Sequence, residues 1–209
     1  TGAAFALFPP FKVFAHGTLA FAYGEAHWRL LDIPTKFNTW CRAVGATKSC
    51  DLARMIFQAG LNLAEARKGA LFVVLRDPTV SAPQLIAPPD RIGEDDITDD
   101  PDDPDNLSPR LAKRSLHMVV RGRGLNELEP RILEAVAGID GAVVTDRDAR
   151  LLTFGAILRI SSDSLKIARA VEGARTLAAL AASFHGPVLK VSEDGILTMF
   201  LGGRKVWDL

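Results

Sequence analysis

Residues 51–75, DLARMIFQAGLNLAEARKGALFVVL, decide the fold class of this chain. Apolar residues recur every three or four positions over Asp51–Lys68, which predicts an amphipathic helix with Ser49 or Asp51 as its cap. Ala70–Leu75 is an unbroken apolar run of strand length, which is typical of a strand covered on both faces. A helix leading into a buried strand indicates an α/β domain.

The same alternation of helices and strands continues towards the C-terminus. A proline suits the first position of a helix, so Glu129-Pro130 is predicted to open a short helix that Gly138 ends. The remaining predicted elements are the helix Ala174–Phe184 and the strands Leu116–Val120, Ala142–Thr145, Leu151–Ile160, Val188–Val191, Ile196–Leu201 and Lys205–Trp207. Helices interleaved with buried strands predict a mixed central β-sheet flanked by helices.

The first part of the chain carries a second pattern. Residues 12–24 match residues 190–202 at a constant offset, with glycines at equivalent turns, so both segments are predicted to be β-hairpins. Two explanations are open: a duplicated hairpin attached to the main sheet, or two unrelated hairpins with similar glycine turns. The predicted organisation is an N-terminal β-hairpin extension over 1–48 and a main α/β domain over 49–209.

Residues 77–109 interrupt the alternation with seven prolines and a dense acidic run. Prolines remove backbone donors and clustered acids repel one another, so we expect a long, mobile surface insertion there. Asp90–Asn106 contains nine acidic residues and one arginine, and because the whole chain is neutral, the rest carries the compensating positive charge. This positive bias favours anionic partners such as nucleotides, and the insertion is either solvated surface or an autoinhibitory mimic of phosphate.

The composition excludes several classes of protein. Hydrophobic residues make up 48% and charged residues 24% of the chain, which is typical of a globular protein and not of a disordered one. No apolar run reaches the roughly 18 to 20 residues of a membrane span, and the N-terminal residues lack the basic start of a signal peptide. With only Cys41 and Cys50 as cysteines, we expect a cytoplasmic protein with reduced thiols.

Several functional classes also lack their motifs. None of the four histidines has the spacing of a metal-ligand pair, and the sequence has no cysteine and histidine cluster for zinc. It contains no Walker loop, no dinucleotide-binding glycine motif after a strand and no nucleophile elbow. Aromatic residues make up 7% and are not interleaved with basic ones, so nucleic acid is not an expected partner.

Three motifs could hold an anion or a metal. Asp140-Gly141-Ala142 precedes a predicted strand, where a carboxylate can bind a divalent metal and a glycine lets a ligand approach the backbone. Gly173-Ala174-Arg175-Thr176 opens a predicted helix, whose free N–H groups and arginine suit a phosphate. Arg121-Gly122-Arg123-Gly124 offers two arginines between glycines, which suit a phosphate or a carboxylate. A common turn, or helix surface, is the alternative in each case.

Four motifs stand in a recognisable order: Gly69–Leu75, Asp140–Val144, Gly173–Ala179 and Val191–Ile196. This order resembles the diadenylate cyclase domain family (DAC or DisA-N), which carries a G-A-L strand, D-G-A, G-T-R-H-R-A-A and V-S-E-x-G-x-I in succession. The resemblance covers about residues 52–209, and its specificity comes from the four motifs together. It implies the fold of that family and a DAC-like nucleotide-binding domain over 49–209.

The resemblance also implies a chemistry. Family members join two ATP molecules into cyclic di-AMP between two facing domains, so Asp140 would be the catalytic residue and would hold Mg²⁺ or Mn²⁺ near the attacking 3′-hydroxyl. The nucleotide-binding residues would be Asp140, Gly141, Ala142, Gly173, Ala174, Arg175 and Thr176. Further phosphate contacts would come from Arg121, Arg123 or Arg159.

The second site motif departs from the family pattern. Thr176 and Leu177 stand where the family has histidine and arginine, and leucine offers neither charge nor donor to a triphosphate. The resemblance therefore implies a nucleotide sensor with a degenerate phosphate clamp, of the kind attached to bacterial effector or conflict systems. An active cyclase is the alternative because Asp140 and Arg175 are retained, and a structural interaction module is the third. The expected partners are a nucleotide, a second copy of the chain or an attached effector domain.

Overall fold

The computed structural model describes residues 7–8, 12–15, 18–24, 27–45, 50–87, 90–91, 124–160 and 173–209. The helices are α1 (Ile33–Val44), α2 (Asp51–Glu65), α3 (Pro78–Leu85), α4 (Pro130–Ala137) and α5 (Ala174–Ala182), and Leu125–Glu127 forms a 3₁₀ turn. The strands are β1 (Leu7–Phe8), β2 (Lys12–Ala15), β3 (Thr18–Gly24), β4 (His27–Leu30), β5 (Ala70–Leu75), β6 (Ala142–Asp146), β7 (Leu151–Ala156), β8 (Val188–Val191), β9 (Leu197–Leu201) and β10 (Arg204–Asp208).

Six strands form the main sheet in the order β10-β9-β8-β5-β6-β7. β5 and β6 pair in parallel, and every other neighbouring pair of this sheet is antiparallel. β5 lies inside the sheet, and all six of its residues are buried. The predicted strand Ala70–Leu75 and the predicted α/β class with a mixed central sheet are both confirmed.

The side chains of β5 alternate between two apolar cores. Its even-numbered residues face the core that α1, α2 and α4 cover, and its odd-numbered residues face the core that α3 and α5 cover. Successive residues of a strand point to opposite faces, so a strand covered on both faces has no place for a polar residue. This is why the segment is apolar without interruption.

The ends of α2 differ from the prediction. The N-cap residue is Cys50 and makes no side-chain capping hydrogen bond, so the predicted cap at Ser49 or Asp51 is wrong. Asp51 instead lies in the first turn, where its negative charge interacts favourably with the helix dipole. The helix ends at Glu65, because Arg67 adopts a left-handed φ of 53° and the Lys68 N–H bonds back to the Leu63 carbonyl at 2.9 Å.

Helix α1 was not among the predicted elements. The Asp32 carboxylate accepts a hydrogen bond of 3.1 Å from the Thr35 N–H at its start, and Gly45, with a φ of 62°, ends it. Trp40 and Val44 of this helix are fully buried in the core that α2 also covers. The chain before residue 48 therefore forms strands and, in addition, a helix that packs in the core of the main sheet.

The predicted proline-rich loop begins with helix α3. Asp77 caps the helix by accepting hydrogen bonds from the N–H groups of its first turn, and Pro78 occupies a position where no backbone donor is needed. Leu85 and Ile86 are buried against the sheet. The prediction that a loop starts at residue 77 is therefore wrong for these residues, because N-terminal proline is compatible with a helix and the apolar residues cover the sheet.

The other predicted elements that fall within the described residues are confirmed with shifts at their ends. The helix expected after Glu129 is α4, and the strand Val188–Val191 is β8. The strand predicted over Leu151–Ile160 stops at Ala156, and the helix predicted to reach Phe184 stops at Ala182. These shifts leave the order of elements unchanged.

The N-terminal strands β1–β4 form a separate antiparallel sheet in chain order. The predicted hairpin is confirmed as β2 and β3, but none of its described strands pairs with the main sheet, as attachment of a duplicated hairpin would require. Residues 92–123 lie outside the described residues. They include most of the acidic run, the predicted strand Leu116–Val120, and both Arg121 and Arg123.

Candidate functional site

An open cleft of about 660 Å³ lies at the end of the main sheet where β5 and β6 begin. It is lined by residues 67–69 after α2, by the end of α4 and the turn to Asp140, by Arg175 of α5, and by Glu193 in the β8–β9 turn. Gly69, Asp140, Arg175 and Glu193 come from the four sequence motifs, one from each. The fold therefore gathers motifs that are spread over more than a hundred residues of the chain into one place.

Arg175 lies between two carboxylates of this cleft. Its Nη2 atom is 3.7 Å from Asp140 Oδ1, and its Nη1 atom is 3.5 Å from Glu193 Oε1. The arginine side chain is 32% exposed, whereas the two carboxylates project into solvent. Ion pairs this long and this exposed contribute about 0–1 kcal/mol, so an incoming anion can take the guanidinium from them at little cost.

The guanidinium of Arg175 rests directly on the backbone of Gly69. A Cβ atom built at Gly69 would overlap Arg175 Nη1 and lie 2.8 Å from Cζ. A side chain at this position would displace the guanidinium from the place that it occupies in this structure. The glycine of the G-A-L motif is therefore explained by the arginine that it accommodates.

Only the first residue of Asp140-Gly141-Ala142 presents its side chain to the cleft. Asp140 is fully exposed, whereas Ala142 is buried between the sheet and α5. Gly141 has a φ of 116°, and a Cβ atom there would lie 2.5 Å from the carbonyl carbon of Gly155. The close packing of this turn on β7 explains the glycine without a ligand.

The residues around Arg175 form the start of α5. Gly173 is the N-cap residue with a φ of 91°, and Ala174 is exposed in the first turn. Thr176 Oγ1 accepts a hydrogen bond of 3.0 Å from Lys190 Nζ. Of this motif, Arg175 is the residue that lines the cleft, and the others flank it.

Lys190 is a residue that the sequence analysis missed. Its neighbours Leu189 and Val191 face the core under α2, so Lys190 lies on the opposite face of β8, towards α5. Its ammonium group stands beside Thr176, the residue that replaces the family's histidine. The available signal was a single lysine inside the otherwise apolar strand Val188–Val191.

The sequence analysis also missed four other charged residues of the cleft, because they come from neighbouring elements and turns. They are Arg67, Lys68, Glu134 and Glu193. The cleft holds three cationic side chains and three carboxylates, namely Arg67, Lys68, Arg175, Glu134, Asp140 and Glu193. Glu134 Oε1 accepts a hydrogen bond of 2.6 Å from Asn62 Nδ2, which ties α4 to α2 at the cleft. The formal charge of the lining is balanced, so it has no excess positive charge for a bare polyanion.

Arg159, the remaining arginine predicted to contact phosphate, lies elsewhere. Its N–H donates to the Leu85 carbonyl at 2.8 Å, and its side chain is exposed beside the end of α3. It does not line the described cleft. Arg121 and Arg123 are not among the described residues.

The described residues offer a metal ion only a partial set of ligands. No group of three or more histidine, cysteine, aspartate or glutamate side chains among them is arranged to hold a metal. Asp140 and Glu193 do approach the same guanidinium from two sides. Mg²⁺ commonly binds one or two carboxylates together with phosphate oxygens and water, and Asp140 and Glu193 are the two carboxylates of the cleft that contact the arginine.

Comparison with known proteins gives matches among solved structures alone. The chain matches no protein-family model and no curated protein. It is similar in structure to a hypothetical membrane spanning protein from Bacillus cereus, with 21% identity, a TM-score of 0.47, and coverage of 75% of this chain and 62% of that one. It is also similar to a double mutant of DacA from Staphylococcus aureus, with 19% identity, a TM-score of 0.45, and coverage of 75% and 85%.

This chain thus spans less than two thirds of the Bacillus cereus protein. Neither similarity assigns the chain to a family, and the chemistry of the cleft is judged from its own side chains. Within the part of the chain that the structure describes, no helix has both the length and the apolar character needed to cross a membrane.

Proposed function

We propose that this chain is a nucleotide-binding sensor domain related to diadenylate cyclases, and that it recognises an adenine nucleotide or a nucleotide-derived signal. The observation that carries the proposal is the position of Arg175, which lies on Gly69 and between Asp140 and Glu193. Each of these residues comes from one of the four motifs that resemble the cyclase family. A guanidinium next to carboxylates and a helix N-terminus suits a metal-bridged phosphate.

The balanced charge of the cleft makes a divalent cation part of this proposal. A phosphate that takes Arg175 leaves Asp140 and Glu193 unpaired next to its own negative charge. Mg²⁺ or Mn²⁺ held by these carboxylates would offset that repulsion. We therefore expect metal and nucleotide to bind cooperatively, each raising the affinity for the other.

A sensor suits the altered clamp better than an enzyme does. Joining two triphosphates requires fixed cations that offset their repulsion in the transition state. Thr176 and Leu177 supply no charge, and the carboxylates of the cleft cancel its three cations. Recognition of a less charged nucleotide needs fewer cations than catalysis on two triphosphates, so the isolated domain is expected to make little or no cyclic di-AMP.

Identification of the ligand is the direct test. The folded chain is purified without added nucleotide, denatured, and the released small molecules are analysed by mass spectrometry. We expect an adenine nucleotide or a derivative of one, and its affinity for the protein measured by calorimetry should rise when Mg²⁺ is added. The absence of any nucleotide in the released fraction, together with no heat on titration of adenine nucleotides with Mg²⁺ or Mn²⁺, would contradict the proposal.

An active diadenylate cyclase is the second candidate, and Lys190 is the observation that favours it. The ammonium group of Lys190 lies 3.0 Å from Oγ1 of Thr176, the residue aligned with the histidine of the cyclase motif, and could supply a cation that the motif itself lacks. Such an enzyme would also need a second copy of the chain facing the first. Synthesis of cyclic di-AMP from ATP and Mn²⁺ by the wild-type chain, lost in Asp140→Asn, would establish this alternative over the sensor.

A further inference from the structure

The turn that ends α2 brings two cations to the cleft. The Arg67 N–H bonds to the Ala64 carbonyl at 3.1 Å and the Lys68 N–H to the Leu63 carbonyl at 2.9 Å, which is the Schellman pattern of a helix C-terminus. This pattern requires a left-handed backbone at Arg67, whose φ is 53°. Glycine is the usual residue at that position, because a Cβ atom makes the left-handed conformation costly.

Arg67 therefore occupies a position where glycine would give a more stable turn. Its side chain is exposed and lines the cleft. Residues held in unfavourable backbone conformations cluster at binding and catalytic sites, where the side chain serves a ligand. The presence of arginine at this position is better explained by the cleft than by the stability of the turn.

The charges of the cleft are paired unevenly. Each of its three carboxylates contacts another side chain, and two of the three contact Arg175. Within the described part of the chain, no hydrogen bond or ion pair engages the side chain of Arg67 or that of Lys68. An anion can therefore bind these two cations without displacing a carboxylate.

The chain places Arg67 close to Arg175. Gly69 lies against the Arg175 guanidinium and follows Arg67 by two residues, so the Cα atoms of Arg67 and Gly69 are at most about 7 Å apart. The β8–β9 turn packs against the end of α2, since a Cβ atom at Gly195 would lie 3.0 Å from the Ala64 carbonyl oxygen. A ligand with one phosphate at Arg175 therefore has Arg67 within reach of the next group along.

We propose that Arg67, assisted by Lys68, binds a second phosphate group of the nucleotide whose first phosphate binds Arg175. The cleft then selects a nucleoside diphosphate over a nucleoside monophosphate. This inference rests on the proposed function, because that function assigns the first phosphate to Arg175. The planar guanidinium of an arginine donates two parallel hydrogen bonds to a phosphate, and Arg67 gives up no ion pair to do so.

The test compares the affinities of ADP and AMP by calorimetry in the presence of Mg²⁺. The wild type should bind ADP at least about tenfold more tightly than AMP, because a single phosphate cannot occupy both arginines. In Arg67→Ala the ratio should fall to about two or less, with the affinity for AMP unchanged. Arg76→Ala is the control, because it removes an exposed arginine at the other end of β5 and should keep the wild-type ratio.

A second variant separates the backbone strain from the charge. Arg67→Gly should lose the preference for ADP as Arg67→Ala does, but it should unfold at a higher urea concentration than the wild type, since glycine adopts a positive φ without strain. Lower stability of Arg67→Gly than of the wild type would show that the arginine supports the turn and would overturn the proposal.

The nucleotide titrations also distinguish failure of this inference from failure of the proposed function. If both nucleotides bind and their affinity ratio is the same in the wild type and Arg67→Ala, the second-phosphate site is overturned and the proposed function stands. If neither nucleotide binds the wild type, both are overturned.

Discussion

At the scale of single residues, Arg175 is the side chain on which the other motifs converge. Its pairs with Asp140 and Glu193 are long and exposed, and such pairs contribute about 0–1 kcal/mol. A charge-assisted hydrogen bond to a phosphate contributes roughly 1.5–3 kcal/mol. A bond from the guanidinium to a phosphate ligand is therefore expected to contribute more free energy than its ion pairs with the two carboxylates do in the free protein.

Replacement of this arginine tests its role in binding. Arg175→Ala should weaken ATP binding in the presence of Mg²⁺ by about 1–3 kcal/mol, because a charge-assisted bond is lost. Isothermal titration calorimetry measures the change. Arg159→Ala removes another arginine, which lies away from the cleft, and should leave the affinity unchanged. Equal affinities for both variants and the wild type would show that Arg175 is ordinary helix surface.

Gly69 should act on the ligand only through Arg175. Gly69→Ala should weaken ATP binding by less than Arg175→Ala does, since the new Cβ atom displaces the guanidinium without removing it. Its effect on unfolding by urea should be small, because the overlap is with the mobile end of a side chain. In an Arg175→Ala background the same change should have no further effect on affinity. An additive loss of affinity in the double variant would show that the two residues affect binding independently.

At the scale of elements, the first turn of α5 is the part of the cleft on which the proposed nucleotide binding depends. It presents Arg175, then Thr176 hydrogen-bonded to Lys190, then the half-buried Leu177. Helix N–H groups and one arginine suit a single phosphate group better than a chain of three. Under the proposed function, this turn would therefore contact one phosphate group through Arg175.

Restoration of the family pattern in this turn should increase triphosphate affinity. Thr176→His combined with Leu177→Arg adds a full charge beside Arg175 and should improve ATP binding by roughly 1–2 kcal/mol in calorimetry. Leu177→Met, which keeps size and apolar character, serves as the control and should leave the affinity unchanged. A double variant that folds and binds ATP no better than the wild type would show that the turn does not face the phosphates.

The turn between α4 and β6 should be sensitive to any side chain at Gly141. Gly141→Ala combines a φ of 116° with a Cβ atom 2.5 Å from the Gly155 carbonyl carbon, so we expect a loss of about 2–4 kcal/mol in the free energy of unfolding. Gly202 has a φ of 60° but nothing within 4 Å of a new Cβ atom, and Gly202→Ala should cost about 1 kcal/mol. Urea unfolding of both variants measures the difference; equal losses would mean that the turn relaxes.

At the scale of the whole molecule, a histidine makes stability depend on pH. His185 Nδ1 lies 3.1 Å from Ser81 Oγ, between the end of α5 and α3, and burial lowers the pKa of His185 below its usual 6.5. The unfolded chain therefore takes up the proton first as the pH falls. The contribution of neutral His185 to stability is present above about pH 6.5 and is lost progressively below it.

This dependence can be measured by urea unfolding of the whole chain between about pH 8.5 and 5. The free energy of unfolding of His185→Gln should fall less steeply with acidification than that of the wild type, since the other histidines and the carboxylates are common to both chains. The slopes should agree above about pH 7.5, where His185 is neutral in both states. Parallel curves over the whole range would contradict the role given to His185.

Much of the architecture could be predicted because it depends on local patterns. The unbroken apolar run of β5 reflects cores on both of its faces, and the order of helices and strands follows from the spacing of apolar residues. Two helices were missed although they carry local signals: α1 has Asp32 as its cap and Gly45 at its end, and α3 has Asp77 before Pro78. The segment of α3 was predicted to be a loop because its many prolines were given more weight than the helix-start signal of Asp77 and Pro78.

The sequence by itself determined the α/β class and the buried central strand, and it marked Asp140 and Arg175 as candidate site residues, because each depends on residues close together in the chain. Only the tertiary structure placed Gly69 under Arg175, Glu193 opposite Asp140, and Lys190 beside Thr176. Those contacts join elements far apart in the sequence, and the pairing of β5 with β6 and β8 brings them together. The charge balance of the cleft is a property of that pairing and of no single motif.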